Sequence, residues 1–300
     1  DLQAALASDV RADVAIVGGG FTGLSTALAL HERGIDAVIL ERHFCGYGAS
    51  GRNAGHLTPT ICKDLPTAVT VFGREVAAQL ARYADFCVEN TEGMIQRHAI
   101  DCDYHRSGNL MAVIHPSQER RLRKATAAAV ALGAKMHFVE AAEMRERRLP
   151  PAFLCGSMEE AGGSLHPGKL VLGLRRAALA RGIRIFEQTQ VQRIEGIGST
   201  RVVTPGGSVR AKNVVIASNA YTPEIGKPGE RISPLYITLF ETAPLSDAQV
   251  AALGWTGREG IYTAHESMES YRLTAQGTII GGSKDVQYFY DCAPHNHGGE

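Results

Sequence analysis

Three glycines and one acid offer the first chemistry in this 300-residue chain. Gly18, Gly20 and Gly23, in the run Gly18-Gly19-Gly20-Phe21-Thr22-Gly23, have the spacing of a turn that carries a pyrophosphate. In such a turn Gly18 permits the tight reversal, Gly20 lets the backbone approach phosphate oxygens, and Gly23 lets a helix pack closely on a strand. Phe21 and Thr22 stand near the helix start, where unpaired N–H groups and the positive dipole end face the phosphates. Glu41, which follows 18 residues after Gly23, can accept hydrogen bonds from both hydroxyls of a ribose. This is the chemistry of dinucleotide binding.

The elements around the turn decide whether the pattern means anything. With 33 glycines in the chain, chance supplies about 0.4 such matches, and a second one stands at Gly46-Tyr47-Gly48-Ala49-Ser50-Gly51. Before the first match, Val14-Ala15-Ile16-Val17 is an apolar, β-branched run that predicts a buried strand. After it, Leu24, Ala27, Leu28 and Leu30 share one side of a helix that Arg33-Gly34 ends. Ala37-Val38-Ile39-Leu40 predicts a second strand, closing at Glu41. Strand, glycine turn, helix, strand and acid is the order a dinucleotide site needs. The second match follows Arg42-His43-Phe44-Cys45 and precedes no helical pattern. Residues 46–56, GYGASGRNAGH, therefore read as a loop by composition.

Bulk properties narrow the partners. Lys plus Arg and Asp plus Glu number 31 each, with 44% hydrophobic and 21% charged residues. Net charge gives no reason to propose nucleic acid or an anionic membrane, and no apolar run reaches the length of a membrane span. The N-terminus lacks the zones of a signal peptide. Cys45, Cys62, Cys87, Cys102, Cys155 and Cys292 are scattered without a CxxC pair, so reduced thiols in a cytoplasmic protein are expected, with no metal site. His295 and His297 read as a chain end.

Further along, His166-Pro167-Gly168-Lys169-Leu170 precedes an amphipathic stretch, Val171 to Arg181. A strand-like run, Ile183 to Glu187, follows, and then Thr189-Gln190-Val191. Arg201–Thr204 and Ser208–Arg210 predict a hairpin turned by Pro205-Gly206-Gly207. Val214-Val215-Ile216-Ala217 leads into Ser218-Asn219-Ala220-Tyr221-Thr222. A helical stretch spans about 64–98, a strand candidate lies at Gly108–Ile114, and a charged helix begins near Ser117. The basic residues of that last helix read as a solvated face. Residues 233–290 carry strand signals at Ile237–Phe240, Tyr271–Leu273 and Thr278–Ile280.

Together DVAIVGGGFTGLSTALAL, Leu40-Glu41 and GASGRNAG resemble the D-amino-acid-oxidase-type FAD-dependent oxidoreductases, in particular the branch that includes gamma-glutamylputrescine oxidases. The resemblance covers nearly the whole chain, most strongly at 13–55 and 166–222. It implies FAD as cofactor. Ser50, Arg52, Asn53, Ala54 and Gly55 would lie along it, with Gly18, Gly20, Phe21, Thr22, Gly23, Glu41 and Arg42 at the βαβ unit. Val191 would add a backbone contact to adenine, and Ser218, Asn219 and Ala220 a turn near the cofactor. Some relatives attach FAD through a His in the 50s segment; Asn53 fills that place here, so non-covalent FAD is expected.

The expected fold class is α/β: a Rossmann-like, glutathione-reductase-type FAD domain with a second, mixed-sheet α+β substrate domain. The first is expected at 1–98 and 150–232, the second at 99–149 and 233–300. The family continues further with a segment that helps close the flavin site, so the second domain is expected to be C-terminally incomplete.

The resemblance implies oxidation of a C–N bond of an amine or amino acid to an imine. Flavin takes the hydride equivalent, and oxygen then gives hydrogen peroxide. The expected partner is a small-molecule amine or amino acid. His56 is the first candidate beside the flavin. Tyr271 and Arg272 lie on a strand expected to face the substrate, Arg272 as a fork for a carboxylate; Lys284 and His265 are weaker candidates. Two alternatives stay open: a dehydrogenase of the same fold passing electrons to a quinone or carrier, and a flavin-binding protein without turnover. An NAD-dependent dehydrogenase fits the first 41 residues but neither the 46–56 segment nor the split second half.

Overall fold

A computed structural model describes residues 1–60, 64–196, 199–226, 231–265 and 268–287, with side chains as far as residue 282. Cys62, Cys292, His295, His297 and the Lys284 side chain lie outside the described residues. The first half of the chain runs β1 (Val10–Val17), α1 (Phe21–His31), β2 (Ala37–Leu40), β3 (His56–Leu57), α2 (Leu65–Phe72), α3 (Arg74–Arg97), β4 (Asn109–Val113), α4 (Pro116–Val130), β5 (Met136–Val139) and α5 (Ala141–Glu146). The second half runs β6 (Cys155–Glu159), β7 (Gly163–Ser164), α6 (Pro167–Ala180), β8 (Arg184–Phe186), β9 (Arg193–Glu195), β10 (Thr200–Thr204), β11 (Gly207–Ile216), β12 (Tyr236–Glu241), α7 (Asp247–Leu253), β13 (Gly260–Thr263), β14 (Ser270–Leu273) and β15 (Ile279–Gln287).

These elements form two compact units, one built on Asp1–Asn53 and Pro167–Tyr236, the other on Ala54–His166 and Ile237–Val286. The boundaries differ from those expected. Helices α2 and α3, assigned from sequence to the cofactor half, belong to the second unit, as do residues 150–166. The reason is packing: Ala68 of α2 and Ala77 of α3 share a core cluster with Leu132, just past α4. Among the described residues no helix is long and apolar enough to cross a membrane.

The first unit carries a six-stranded sheet in the order β8-β2-β1-β11-β10-β9. The first four strands are parallel, joined in register at Val14↔Ala37, Val14↔Asn213 and Val38↔Arg184. Parallel neighbours need crossovers: α1 connects β1 to β2, and α6 precedes β8. Alternation along β1 and β2 divides their side chains. Ala15, Val17, Val38 and Leu40 enter one cluster with Leu6, Val191, Val202 and Val209. Ile16 and Ile39, between them, are also fully buried, as are Leu24 and Ala27 of α1. The predicted hairpin is present, with Thr204 paired to Gly207. Its second strand does not stop at Arg210, because β11 pairs with β1 from Val209 to Ile216.

One buried carboxylate ties this unit together. The Glu187 side chain has no exposure and takes a forked bond from Arg175, with Nε at 3.0 Å and Nη2 at 2.6 Å. It also accepts from the backbone N–H groups of Cys45 (2.8 Å) and Gln3 (2.7 Å). Burial pushes this carboxyl up, but the Arg175 fork and the two N–H groups outweigh burial and hold it below the usual range. It thereby fixes the N-terminus, the start of the second glycine segment and α6 to β8.

The second unit carries a seven-stranded mixed sheet in the order β12-β15-β14-β13-β4-β6-β5. β13 and β4 are parallel, whereas β13–β14, β14–β15, β4–β6 and β5–β6 are antiparallel. One face packs Leu110, Ala112, Val139, Met158, Ile261 and Leu273 against Met144, Leu149 and Trp255. The opposite face divides along the strands. At one end Val113 and Cys155 meet Leu122 of α4, and Thr126 donates to Ser157 at 2.8 Å. At the other end the face is polar, and the short antiparallel pair β3–β7 lies beside it, His56 opposite Ser164.

Replacing Glu187 by Gln removes the charge that balances Arg175 inside the first unit. Breaking a buried pair from one side costs about 3–5 kcal/mol. Urea unfolding followed through that unit should show a loss of this order; a loss under about 1 kcal/mol, the worth of a surface pair, would refute the central role given to Glu187.

Candidate functional site

In the first unit the glycine turn joins β1 to α1 by close backbone contact. A Cβ on Gly23 would stand 1.9 Å from the Gly18 carbonyl oxygen, and one on Gly18 would stand 2.5 Å from that of Ala217. Ala217 precedes Ser218, Asn219 and Ala220, so the turn predicted after β11 does lie against the glycine turn. α1 starts with Gly20 at its N-cap in extended conformation, with no cap from its own side chain and no acid in the first turn. The cap comes from elsewhere: Ser50 Oγ accepts the Phe21 N–H at 3.0 Å. A hydroxyl that accepts still has its own proton to donate. Thr22, at the second helical position, is exposed.

Glu41 is fixed at the end of β2. Its two carboxylate oxygens accept the N–H groups of Gly19 (2.7 Å) and His43 (2.9 Å). Each oxygen keeps lone-pair capacity for a ribose hydroxyl. Positive backbone groups, a donating Ser50 hydroxyl and an oriented acid fit the pyrophosphate and ribose of a dinucleotide.

The second glycine segment is more ordered than its composition suggests. Ala49–Gly51 is a turn of 3-10 helix, and Asn53 Nδ2 closes it onto the carbonyls of Ala49 and Ser50, both at 3.1 Å. Gly46 is in the left-handed region at φ 91°, and a Cβ there would meet Val171 at 2.4 Å. Arg52 lies over the Tyr47 ring at 4.4 Å and Arg42 over the Tyr221 ring at 4.6 Å. Arg42 also pairs with Glu224 at 2.6 Å. Val191 is buried in the core beneath this sheet. The expected cofactor contacts from Gly18 to Asn53 and from Val191 to Ala220 thus all belong to one unit. Ala54 and Gly55 belong to the other.

In the second unit, Ala54, Gly55 and His56 meet the polar end of the large sheet. Arg272, 3% exposed, donates from Nε to the Ala54 carbonyl at 2.7 Å. Gly55 is left-handed at φ 83°, and a Cβ there would strike the Leu165 carbonyl oxygen at 2.2 Å. His56 fits where Gly260 has no side chain: a Cβ on Gly260 would be 2.3 Å from His56 Nδ1. Asn109 sets the tautomer. Its Nδ2 donates to the Leu57 carbonyl at 2.8 Å, which leaves Oδ1 to accept from His56 Nδ1 at 3.3 Å. Nε2 then carries the lone pair, and it is buried without a partner. Burial, opposed by the Asn109 bond and helped by the Arg272 charge, holds the imidazole below its ordinary range, so it is neutral near pH 7.

The three expected catalytic residues are not brought together. Neighbours on a strand point to opposite faces. Arg272 shares the face of Asn109 and His56, whereas Tyr271 faces the other core, 6.4 Å from the Phe153 ring, with its hydroxyl donating to Glu269 at 2.9 Å. His265 Nδ1 lies 3.2 Å from Thr263 Oγ1. Among the described residues no group of three His, Cys, Asp or Glu is placed to hold a metal.

Two polar residues on the same face escaped the sequence reading. Glu159 of β6 is the register partner of Asn109, and Tyr262 of β13 is the partner of Met111, two residues further along β4. Glu159 and the Tyr262 hydroxyl lie buried against each other, and the hydrogen bond between them favours the Glu159 carboxylate and raises the tyrosine. Burial pushes the Glu159 carboxyl up to about 7, against the smaller effects of Tyr262 and Thr60 and with help from the Asp85 charge. Glu159-Glu160 looks like a solvated pair in sequence; strand alternation is the signal that separates them, since Glu160 is exposed.

The architecture is therefore that of a dinucleotide-binding α/β unit with a second, mixed-sheet unit. A family model described as FAD dependent oxidoreductase (DAO) matches residues 13–298. The chain belongs to that family, and its cofactor is FAD. It is 31% identical over 280 residues to gamma-glutamylputrescine oxidoreductase of Escherichia coli K12, spanning 92% of this chain and 65% of that relative. Among solved structures, L-proline dehydrogenase from P. horikoshii superposes with a TM-score of 0.75 at 18% identity, over 94% of this chain and 72% of the other. Glycine oxidase from Geobacillus kaustophilus gives 0.69 at 22% identity, over 93% and 72%. At these identities the two structures show the shared fold.

Glu159 makes stability depend on pH. Its native carboxyl binds a proton up to about pH 7, the unfolded one to about 4.3. The native state therefore holds more protons between these values, and stability falls as pH rises through that window. Glu159→Gln should be stabilising at pH 8, by up to about 3 kcal/mol, with the gain shrinking towards pH 4.5. Thermal midpoints of both proteins at pH 5 and pH 8 check this; a difference independent of pH would contradict it.

Proposed function

We propose that the protein oxidises the C–N bond of an amine or amino acid, with non-covalent FAD and with oxygen as electron acceptor. The observation that carries this reading is the neutral His56, whose buried, unpartnered Nε2 shares a sheet face with the buried Arg272. Family membership and the relative named for gamma-glutamylputrescine support it. Free thiols at Cys45, Cys87 and Cys155 fit a reducing, cytoplasmic setting.

Bound FAD supplies the two-electron acceptor for the hydrogen on the carbon beside nitrogen. His56 accepts a hydrogen bond or a proton from the incoming amine at Nε2, so that nitrogen presents a lone pair when the C–H bond breaks. The positive charge that His56 then gains is shared with the Asn109 amide through Nδ1. Arg272 offers the rest of its guanidinium fork to a substrate carboxylate. The resulting imine is hydrolysed by water to a carbonyl compound and an amine. Glu41 and Ser50 act on the ribose and the pyrophosphate and take no part in proton transfer.

Purified protein should be yellow, absorbing near ~450 nm, and should release FAD on denaturation. An amine or amino acid should bleach it without air, and readmitted air should restore the colour with peroxide formed. His56→Gln should slow bleaching by about 10–100-fold. Fully loaded protein that no member of a broad amine and amino-acid panel bleaches would end the oxidase reading, and bleaching without peroxide would move the acceptor from oxygen to a carrier.

A further inference from the structure

The helix pair α2–α3 carries an apolar stripe that its own unit leaves uncovered. Val71, Phe72, Val76, Tyr83 and Phe86 are each between 41% and 60% exposed. On α3, Val76, Gln79, Tyr83 and Phe86 recur every three or four residues and so share one face. The Tyr83 and Phe86 rings stack on it, with 6.0 Å between centroids. The inward face is a different one, where Ala77, Ala81, Ala84 and Val88 are buried. A groove of about 540 Å³, lined by Val76, Gln79, Leu80, Arg82 and Tyr83, lies along the exposed side. Contiguous apolar surface with a polar rim marks a protein contact rather than a solvated face.

The charges beside the stripe specify the occupant. Glu75 and Arg82 are both exposed and stand seven residues apart, two turns or about 10 Å along the helix. Neither makes a salt bridge or a side-chain hydrogen bond among the described residues. Neighbouring charges are engaged: Arg74 donates to the Ala131 carbonyl at 3.0 Å, and Glu89 pairs with Lys135 at 3.1 Å. An acid and a base at fixed spacing on one helix are complementary to themselves once a second helix runs antiparallel, since the acid of each copy meets the base of the other.

A two-fold axis through Gln79 brings these groups together in one register. Glu75 of each copy then faces Arg82 of the other. Phe72 faces Phe86, and Tyr83 covers Val76 and its groove. The Gln79 amides meet at the axis, where each can both donate and accept. We propose that this face docks a second copy of the chain, with the two α3 helices packed antiparallel. The contact uses α2 and α3 alone and holds whatever substrate the flavin oxidises.

Sedimentation velocity of the FAD-loaded protein should show particles of about twice the 32.1 kDa chain mass, with a dissociation constant of about 1–10 µM. Glu75→Arg sets like charges opposite each other at both ends of the contact and should weaken association about tenfold or more, as should Arg82→Glu. The double variant Glu75→Arg/Arg82→Glu should recover the wild-type constant within about threefold. An equimolar mixture of the two single variants should recover it too, because each pairs better with the other than with itself. Flavin absorbance, equal in all four proteins, checks that the fold is intact. A wild-type monomer at about 100 µM, a dimer that neither single variant weakens, or a loss that the double variant fails to recover overturns the contact. A monomer whose Phe86→Cys variant resists alkylation would give the face to another segment of the chain instead.

Discussion

The backbone of Gly18 and the start of α1 lie so close that a single methyl group on Gly23 would overlap the Gly18 carbonyl by more than 1 Å of van der Waals distance, at 1.9 Å. Everything placed at the turn follows from that approach. With α1 held against β1, its first N–H groups point past the strand end, where Ser50 meets Phe21 and Glu41 meets Gly19. A wider turn would leave these donors in solvent and the acid without its backbone anchors. The same contact explains why the helix needs no cap of its own: the second glycine segment, fixed by Glu187 through the Cys45 N–H, brings one.

The second unit solves a comparable problem with a hole in a sheet. Gly260 has no side chain where the His56 ring lies, and Asn109, with no exposure, turns its amide between that ring and the Leu57 carbonyl. One amide thus fixes both a backbone and a tautomer. Arg272 adds a cation that is buried yet hydrogen-bonded to the Ala54 carbonyl, and its charge helps keep the imidazole neutral. The fold itself thus holds His56, Asn109 and Arg272 in place.

What the sequence made legible was local. β1, α1 and β2 are each specified by their own periodicity, and β2 falls on Ala37–Leu40 as the apolar run predicts. Long-range pairing accounts for what was not legible. Arg210, Lys212 and Asn213 interrupt the apolar pattern of β11, yet the strand continues because β1 supplies hydrogen bonds throughout. The amphipathic pattern of α3 announced a helix without saying which core its Ala77 and Ala81 face would join. The Tyr271-Arg272 pair read as one substrate-facing strand, but period-two alternation sends the two to opposite faces. Glu159 became visible only through its pairing with Asn109, which no neighbour in sequence announces.

The division of one sheet face into an apolar and a polar end has an energetic logic. At the α4 end Val113 and Cys155 pack on Leu122, and the polar contact of Thr126 with Ser157 is satisfied. Those contacts, with the large core on the opposite face, hold the strands in register without help from the polar end. The polar end is thereby free to carry unpaired groups that would each be a defect in a core. Because the register is set elsewhere, the cost of an unpaired group such as His56 Nε2 is borne as lost stability rather than as disorder.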